Sequence, residues 1–317
     1  MYDVLIVGLG CAGYTAAVYS ARYKLKTFIV GLEEGGMGAT AAEVGNWPGI
    51  IEIRGPDLMD NFKKHALSFE EVTQKIARVE KIEKIPGGFK MTLQSGESVE
   101  GKAVILATGS SKKHLGVPGE NELSGKGVTY CATCDAFFYR KKVVAVIGGG
   151  DSAVEGAAIA AQVADKVYLV HRRKEFRAEP YWIEKVQKSP NIIMVLENAV
   201  AEIQGTERVT GIKLQKPFEG SDVLTLNGVF IEIGSTPATK LATDLGCEVD
   251  AKGYLKVSAA QQTTVPGVFG AGDVTNASNY FAQFATAAGE ASVAANSVFN
   301  YLSTVAESPK GYMDGSC

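Results

Sequence analysis

The sequence predicts an α/β chain of two similar domains, the second inserted into the first. Three observations carry this. A unit of apolar strand, glycine loop, Ala-rich helix and second apolar strand occurs at residues 2–34 and again at 142–174. Each copy is followed by hairpin-like segments with turn signals at 86–88 and 219–222, then by an apolar strand ending in glycine at 103–109 and 228–234. Finally, a tail holds one more strand and turn, "VPGVFGAGD", and the helix-like run "FAQFATAAGEASVAANSVFNYL". The first copy lacks a closing strand and covering helix by residue 114, so the tail is assigned to it. The expected domains are 1–114 and 241–317 for the discontinuous one and 115–240 for the insertion, with linkers near 115–120 and 235–240.

Composition narrows the function. At 317 residues the chain is long enough for two cores. A net charge of −3 and a pI near 5.8 give no basic field for nucleic acid, and Lys and Arg cluster only in "HRRKEFR" at 171–177. No apolar run approaches the ~18 residues of a membrane span, and the N-terminus enters a strand at once, so a cytoplasmic protein without a membrane partner is expected. Cysteines stand at 11, 131, 134, 247 and 317, an odd set with one close pair, which is not a secreted disulfide framework. Zinc at Cys131 and Cys134 would need two further ligands; no second C-x-x-C exists and His65, His114 and His171 are isolated, so no metal is expected.

Gly8, Gly10 and Gly13 form G-x-G-x-x-G between a strand and a helix. In that context backbone can approach a pyrophosphate seated on the helix N-terminus. Glu33, after the second strand, is placed to accept hydrogen bonds from a ribose 2′-OH. The second loop, Gly148, Gly150 and Ala153, is followed instead by His171, Arg172, Arg173 and Arg177, which suit a 2′-phosphate. An unphosphorylated dinucleotide such as FAD is therefore expected at the first loop and NADPH at the second; the alternative for the basic run is a solvated charged face. Cys131 and Cys134, just ahead of the second unit, have the spacing of a redox pair.

These parts, with "GYTAAVYSAR", "GNWPG", "LATGS", "CATCDAFFYR", "GGGDSA", "HRRKEFRA" and "PGVFGAGDV" in order, make the chain resemble the bacterial-type, low-molecular-weight thioredoxin reductases over all but a short C-terminal tail. The resemblance implies two Rossmann-like, three-layer nucleotide-binding domains, the NADPH domain inserted into a discontinuous FAD domain, in a homodimer. It places FAD at Gly8, Gly10, Cys11, Ala12, Gly13, Leu32, Glu33, Gly36, Met37, Asn46, Thr108, Gly109, Gly272, Asp273, Ala282, Gln283 and Phe284. It places NADPH at Gly148, Gly149, Gly150, Asp151, Ser152, His171, Arg172, Arg173, Arg177, Ile233 and Gly234. Electrons would pass from NADPH through the flavin to the Cys131–Cys134 disulfide and on to thioredoxin or a thioredoxin-like protein. Cys134 would face the flavin, Cys131 would attack the partner, and Asp135 would move the proton, or else cap its own short helix. Because nicotinamide and dithiol share the insertion while the flavin does not, a rotation between domains is expected.

The chain departs from that pattern in four places. Met37 replaces a glutamine and Ala282 an arginine near FAD, Gln283 being kept; Cys11 stands where proline is common, and Gly156 where glutamate is usual. Loss of a hydrogen-bonding group and a positive charge near the flavin leaves a second reading, a related flavoprotein disulfide reductase fed by NADH or ferredoxin or serving another disulfide protein. Cys247, Cys317, His65 and His114 have no expected function, and Phe137 and Phe138 would border the dithiol.

Overall fold

A computed structural model of the chain describes residues 1–41 and 44–307, with the side chains of Thr133, Cys134, Val305, Ala306 and Glu307 outside the description. The chain divides into two compact units, Met1–Ser110 with Pro237–Cys317, and Ser111–Thr236. The crossings fall within two short paired strands, Ser110–Lys112 and Ser235–Pro237, the first a few residues before the expected 115–120 and the second within the expected 235–240.

In the first unit, parallel strands Val72–Ile76, Thr27–Gly31, Tyr2–Val7 and Ser98–Leu106 lie side by side in that order, extended by antiparallel Gly88–Leu93 and Val79–Ile85. The outer edge of Ser98–Leu106 serves two partners. Its first half pairs with Gly88–Leu93, from Thr92 opposite Ser98 to Phe89 opposite Gly101. Its second half pairs in parallel with Val268–Gly270, so the tail supplies a strand of this sheet.

Strand Tyr2–Val7 is apolar from Val4 onward because both its faces are covered there. Val4 and Ile6 point into a core built with helices Cys11–Arg22 and Phe284–Glu307; Leu5 and Val7 point into another with Met91, Leu255 and Val268. The two helices meet through small residues, Ala16 and Ala17 on one and Ala291, Ala294 and Ala295 on the other, all fully buried. At the edge of this contact Tyr23 stacks on Phe299 at 4.7 Å and Asn296 Nδ2 donates to Tyr23 Oη at 2.9 Å.

In the second unit the parallel order is Ile192–Leu196, Lys166–His171, Val143–Ile147, Gly228–Ile231 and Val128–Thr129, beside an antiparallel sheet of Val200–Gly205, Val209–Phe218 and Ser221–Thr225. Val143–Ile147 alternates between two cores. Val144 and Val146 pack with Ala153, Ala157 and Phe230 on the side of helix Asp151–Ala161; Ala145 and Ile147 pack with Leu214 and Val229 on the other. Gly156 has a packing reason: a Cβ there would come 2.6 Å from Ala132 Cβ, so the turn Ala132–Asp135 lies directly on that helix. Among the described residues no helix is long and apolar enough to cross a membrane.

Ala291→Leu would force three extra side-chain carbons into a fully closed helix contact. It should lower stability by about 1–3 kcal/mol in urea denaturation, as overpacked cores do; an unchanged midpoint would show that the tail helix is not docked there.

Candidate nucleotide and dithiol sites

The first glycine loop is closed on one side and open on the other. Gly8, at φ +122°, lies so near strand Ser98–Leu106 that an added Cβ would fall 2.0 Å from Ala107 O, and a Cβ at Gly13 would fall 1.8 Å from Gly8 O. Side chains are excluded there because backbone packs on backbone. Gly10, by contrast, has its nearest such neighbour 3.9 Å away, and nothing lies within 4 Å at Gly109. Helix Cys11–Arg22 has no side-chain cap, so its first N–H groups face this open side without one. Gly36 and Gly272 come to the same loop: their added Cβ atoms would lie 3.4 Å from Gly10 Cα and 3.0 Å from Ala12 Cβ. An uncapped helix start framed by glycines fits a pyrophosphate.

Two adjacent carboxylates behave differently. Glu34 is engaged by Lys63 at 2.6 Å and Gln74 at 2.7 Å, and the lysine holds its carboxyl below the usual range. Glu33 is exposed and makes no side-chain hydrogen bond or ion pair with the described residues; Leu32 beside it is half exposed.

The remaining residues expected at the first site make separate contacts within the first unit. Met37 Sδ accepts from Ser110 Oγ at 3.3 Å, Asn46 Nδ2 donates to Gln283 Oε1 at 2.9 Å, and Thr108 Oγ1 donates to Ala238 O at 2.8 Å. Cys11 Sγ donates to Phe284 O at 3.4 Å, and burial pushes its thiol up to about 12. Ala282 is exposed, just after Ser278, Asn279 and Tyr280, three consecutive left-handed residues. Asp273 is pushed up by burial and by Glu290. Glu290 was not anticipated: from the long tail helix its Oε2 accepts from Gly272 N at 2.8 Å and Thr275 Oγ1 at 3.0 Å, fixing the turn that carries Asp273. A glutamate inside the alanine run of residues 285–295 was the available signal.

The second loop repeats the pattern with different neighbours. A Cβ at Gly148, φ +146°, would lie 2.1 Å from Glu232 O, and one at Gly149 2.3 Å from the His171 ring; nothing lies within 4 Å at Gly150. Helix Asp151–Ala161 also lacks a side-chain cap. Asp151 Oδ1 accepts from Glu179 N at 2.6 Å and Gly149 O accepts from Arg177 N at 2.7 Å, which ties the basic segment to the loop. His171 is buried under the loop, 3.2 Å from Glu175 O and stacked on Phe176; burial keeps its pKa low, with Arg172 and Arg177 adding to the shift against the Glu175 carbonyl. Arg172, Arg173 and Arg177 are exposed and form no ion pair among the described residues. Ser152 and Gly234 are exposed and Ile233 half-buried.

Cys131 belongs to the same unit and is disulfide-bonded; the side chain of Cys134 lies outside the described residues. The turn Ala132–Asp135 is fixed at both ends. Asp135 accepts from Thr129 Oγ1, which itself accepts from Cys131 N at 3.3 Å, and Ala132 N donates to Glu232 Oε1 at 2.9 Å. Asp135 thus has a local structural partner. Phe137 and Phe138 next to the turn are 68% and 74% exposed, while Cys11 and Cys247 are free, buried thiols. Among the described residues no cluster could hold a metal.

Residues 2–291 match the family described as pyridine nucleotide-disulphide oxidoreductase. The chain is 40% identical over 293 residues to a thioredoxin reductase of Mycolicibacterium smegmatis, covering 91% of this chain and 93% of that protein. Among solved structures it is similar to Lactococcus lactis thioredoxin reductase in its FR conformation (TM-score 0.90, 32% identity, 96% of this chain and 100% of that one) and to T. acidophilum thioredoxin reductase (TM-score 0.88, 36% identity, 96% and 99%).

With a thiol pKa near 12, Cys11 holds only about one part in ten thousand as thiolate at pH 8. Native protein should therefore leave Cys11 unmodified by iodoacetamide at pH 8, and urea should expose it; alkylation of native Cys11 at the rate of an open cysteine, read by peptide mass, would contradict the closed packing beside the first loop.

Proposed function

This chain belongs to the thioredoxin reductases of the pyridine nucleotide-disulphide oxidoreductase family, and from that membership we propose that it uses NADPH to reduce an oxidised thioredoxin, with Cys131 and Cys134 as the exchanging pair. Family membership implies a flavin and a pyridine nucleotide; the proposal names them FAD and NADPH. Bound FAD supplies the two-electron relay between nicotinamide and disulfide. The N–H groups at Gly10 to Gly13 would hold its pyrophosphate and Glu33 its adenosine ribose, with Asn46 and Gln283 as a hydrogen-bonded pair at the same site. Arg172 and Arg173 would hold the NADPH 2′-phosphate, and buried, neutral His171 positions the loop from below rather than adding charge.

The chemical step assigned to the chain is thiol–disulfide exchange. In the reduced pair, Cys131 thiolate attacks a disulfide sulfur of thioredoxin and one thioredoxin thiolate leaves. Cys134 then attacks Cys131 in the mixed disulfide, releasing the second thiolate and restoring the Cys131–Cys134 bond. Asp135, held by Thr129 beside the pair, would carry the proton. What supports the reading most is that one compact unit carries both the disulfide-bonded Cys131 and a glycine loop followed by unpaired guanidinium groups. The same guanidinium groups favour NADPH over NADH or ferredoxin. A homodimer and a cytoplasmic setting belong to the proposal.

Steady-state turnover with thioredoxin tests it. NADPH should be strongly preferred to NADH, and Arg172→Ala with Arg173→Ala should lower kcat/KM for NADPH roughly a hundredfold or more while leaving NADH within a few-fold, because two charge-assisted contacts of about 1.5–3 kcal/mol each are lost. Equal use of NADH by the unaltered protein would contradict the assignment. For the cysteines, Cys134→Ser should trap a mixed disulfide with thioredoxin more readily than Cys131→Ser, read on a non-reducing gel; the reverse order would exchange their roles.

A further inference from the structure

Glu232 stands where the two functional elements of the second unit meet. It follows strand Gly228–Ile231 and its main chain continues the sheet, donating from N to Ile147 O at 2.8 Å. Its carbonyl oxygen forms the wall that bars a side chain at Gly148, the first residue of the second glycine loop. Its side chain, 4% exposed, reaches the other way: Oε1 accepts the N–H of Ala132, the residue next to Cys131, while Oε2 lies 2.9 Å from Lys112 Nζ.

A carboxylate in this place has two opposed effects. It gives Ala132 N a buried, charge-assisted acceptor, which fixes the turn carrying Cys131. It also brings a negative charge beside a cysteine that must become a thiolate, and a neighbouring negative charge disfavours a thiolate. Burial pushes the Glu232 carboxyl up, and Lys112, itself only 26% exposed, opposes that shift and favours the charged carboxylate. The other carboxylate at the turn, Asp135, is bonded to Thr129 and has no part in the pair.

We propose that the Glu232–Lys112 pair is the positioning device of the dithiol turn: the carboxylate holds the Ala132 N–H, and the ammonium cancels the carboxylate's charge so that the turn is held without opposing the thiolate of Cys131. Neither residue touches a cofactor or substrate in this account; both act through Cys131. The inference rests on the reading of Cys131 and Cys134 as the exchanging pair. Lys112 lies 120 positions before Glu232, in the segment that enters the unit, so the device ties that segment to the turn as well.

The test is the equilibrium of the FAD-loaded enzyme with glutathione at pH 7 under argon, where one disulfide plus two glutathiones gives the dithiol plus glutathione disulfide, and the dithiol fraction is read by mass after alkylation. Lys112→Met leaves the carboxylate uncompensated and should shift the equilibrium constant roughly three- to tenfold toward the disulfide. Glu232→Gln keeps an acceptor for Ala132 N but leaves the ammonium alone, and should shift it by a similar factor toward the dithiol. The double variant and Lys112→Arg should both return to within about twofold of the unaltered enzyme. Single variants that shift in the same direction, as a merely loosened turn would, or that do not shift at all, would overturn the proposal. Neither thioredoxin nor NADPH enters the measurement, so a protein that fails to turn over thioredoxin would defeat the functional reading while leaving this one decided on its own result.

Discussion

The contact between Gly8, Ala107 and Gly13 governs the first unit. Where strand Tyr2–Val7 ends, its chain passes so close to the end of Ser98–Leu106 that no side chain fits at Gly8, and the helix that follows starts so close to Gly8 that none fits at Gly13. Three elements are thereby joined backbone to backbone, and the helix is left with an uncapped start facing open space. Its uncapped N–H groups and its dipole favour a negative partner, and the dinucleotide assignment depends on that preference. The second unit meets the same constraint differently. There the close approach is between Gly148 and Glu232, the His171 ring fills the space beneath Gly149, and the third position has room for Ala153.

Charge then separates the two sites. A free carboxylate at Glu33 and free guanidinium groups at Arg172 and Arg173 occupy corresponding places after corresponding strands, and in each case the neighbouring charge that might have joined them is already committed or kept neutral. Glu34 is held by Lys63, and His171 is buried against Phe176. Buried carboxylates play the opposite part. Glu290 and Glu232 are removed from solvent and spend their acceptors on backbone N–H groups of functional turns, one carrying Asp273 and the other Cys131. Desolvating a carboxylate is costly unless its acceptors are used, which is why both sit within hydrogen-bond distance of an N–H.

What was legible in the sequence was local. Glycine loops between strand and helix, the alternation of charge after the second strands, and the C-x-x-C pair each reside in a window of a dozen residues or so, where spacing alone carries the physics. The return of the tail strand Val268–Gly270 to the first sheet was legible from what the first copy lacked rather than from its own three residues. Pairings across long separations were not legible. Lys112 with Glu232 and Gly272 with Glu290 depend on which strand lies beside which, and nothing in either residue's neighbourhood names its partner. Gly156 was read as a departure from a pattern, whereas its cause, the approach of Ala132, lies in the packing of one helix on another turn.

The central claim is that electrons reach a protein disulfide only by way of the Cys131 pair. Anaerobic double-mixing absorbance addresses it most directly: NADPH is added to the yellow enzyme, then oxidised thioredoxin, while the flavin band near its visible maximum is followed. The account predicts that NADPH bleaches the band in both the unaltered enzyme and Cys131→Ser, and that thioredoxin restores it only in the former. Restoration by thioredoxin in Cys131→Ser at the rate of the unaltered enzyme would contradict it.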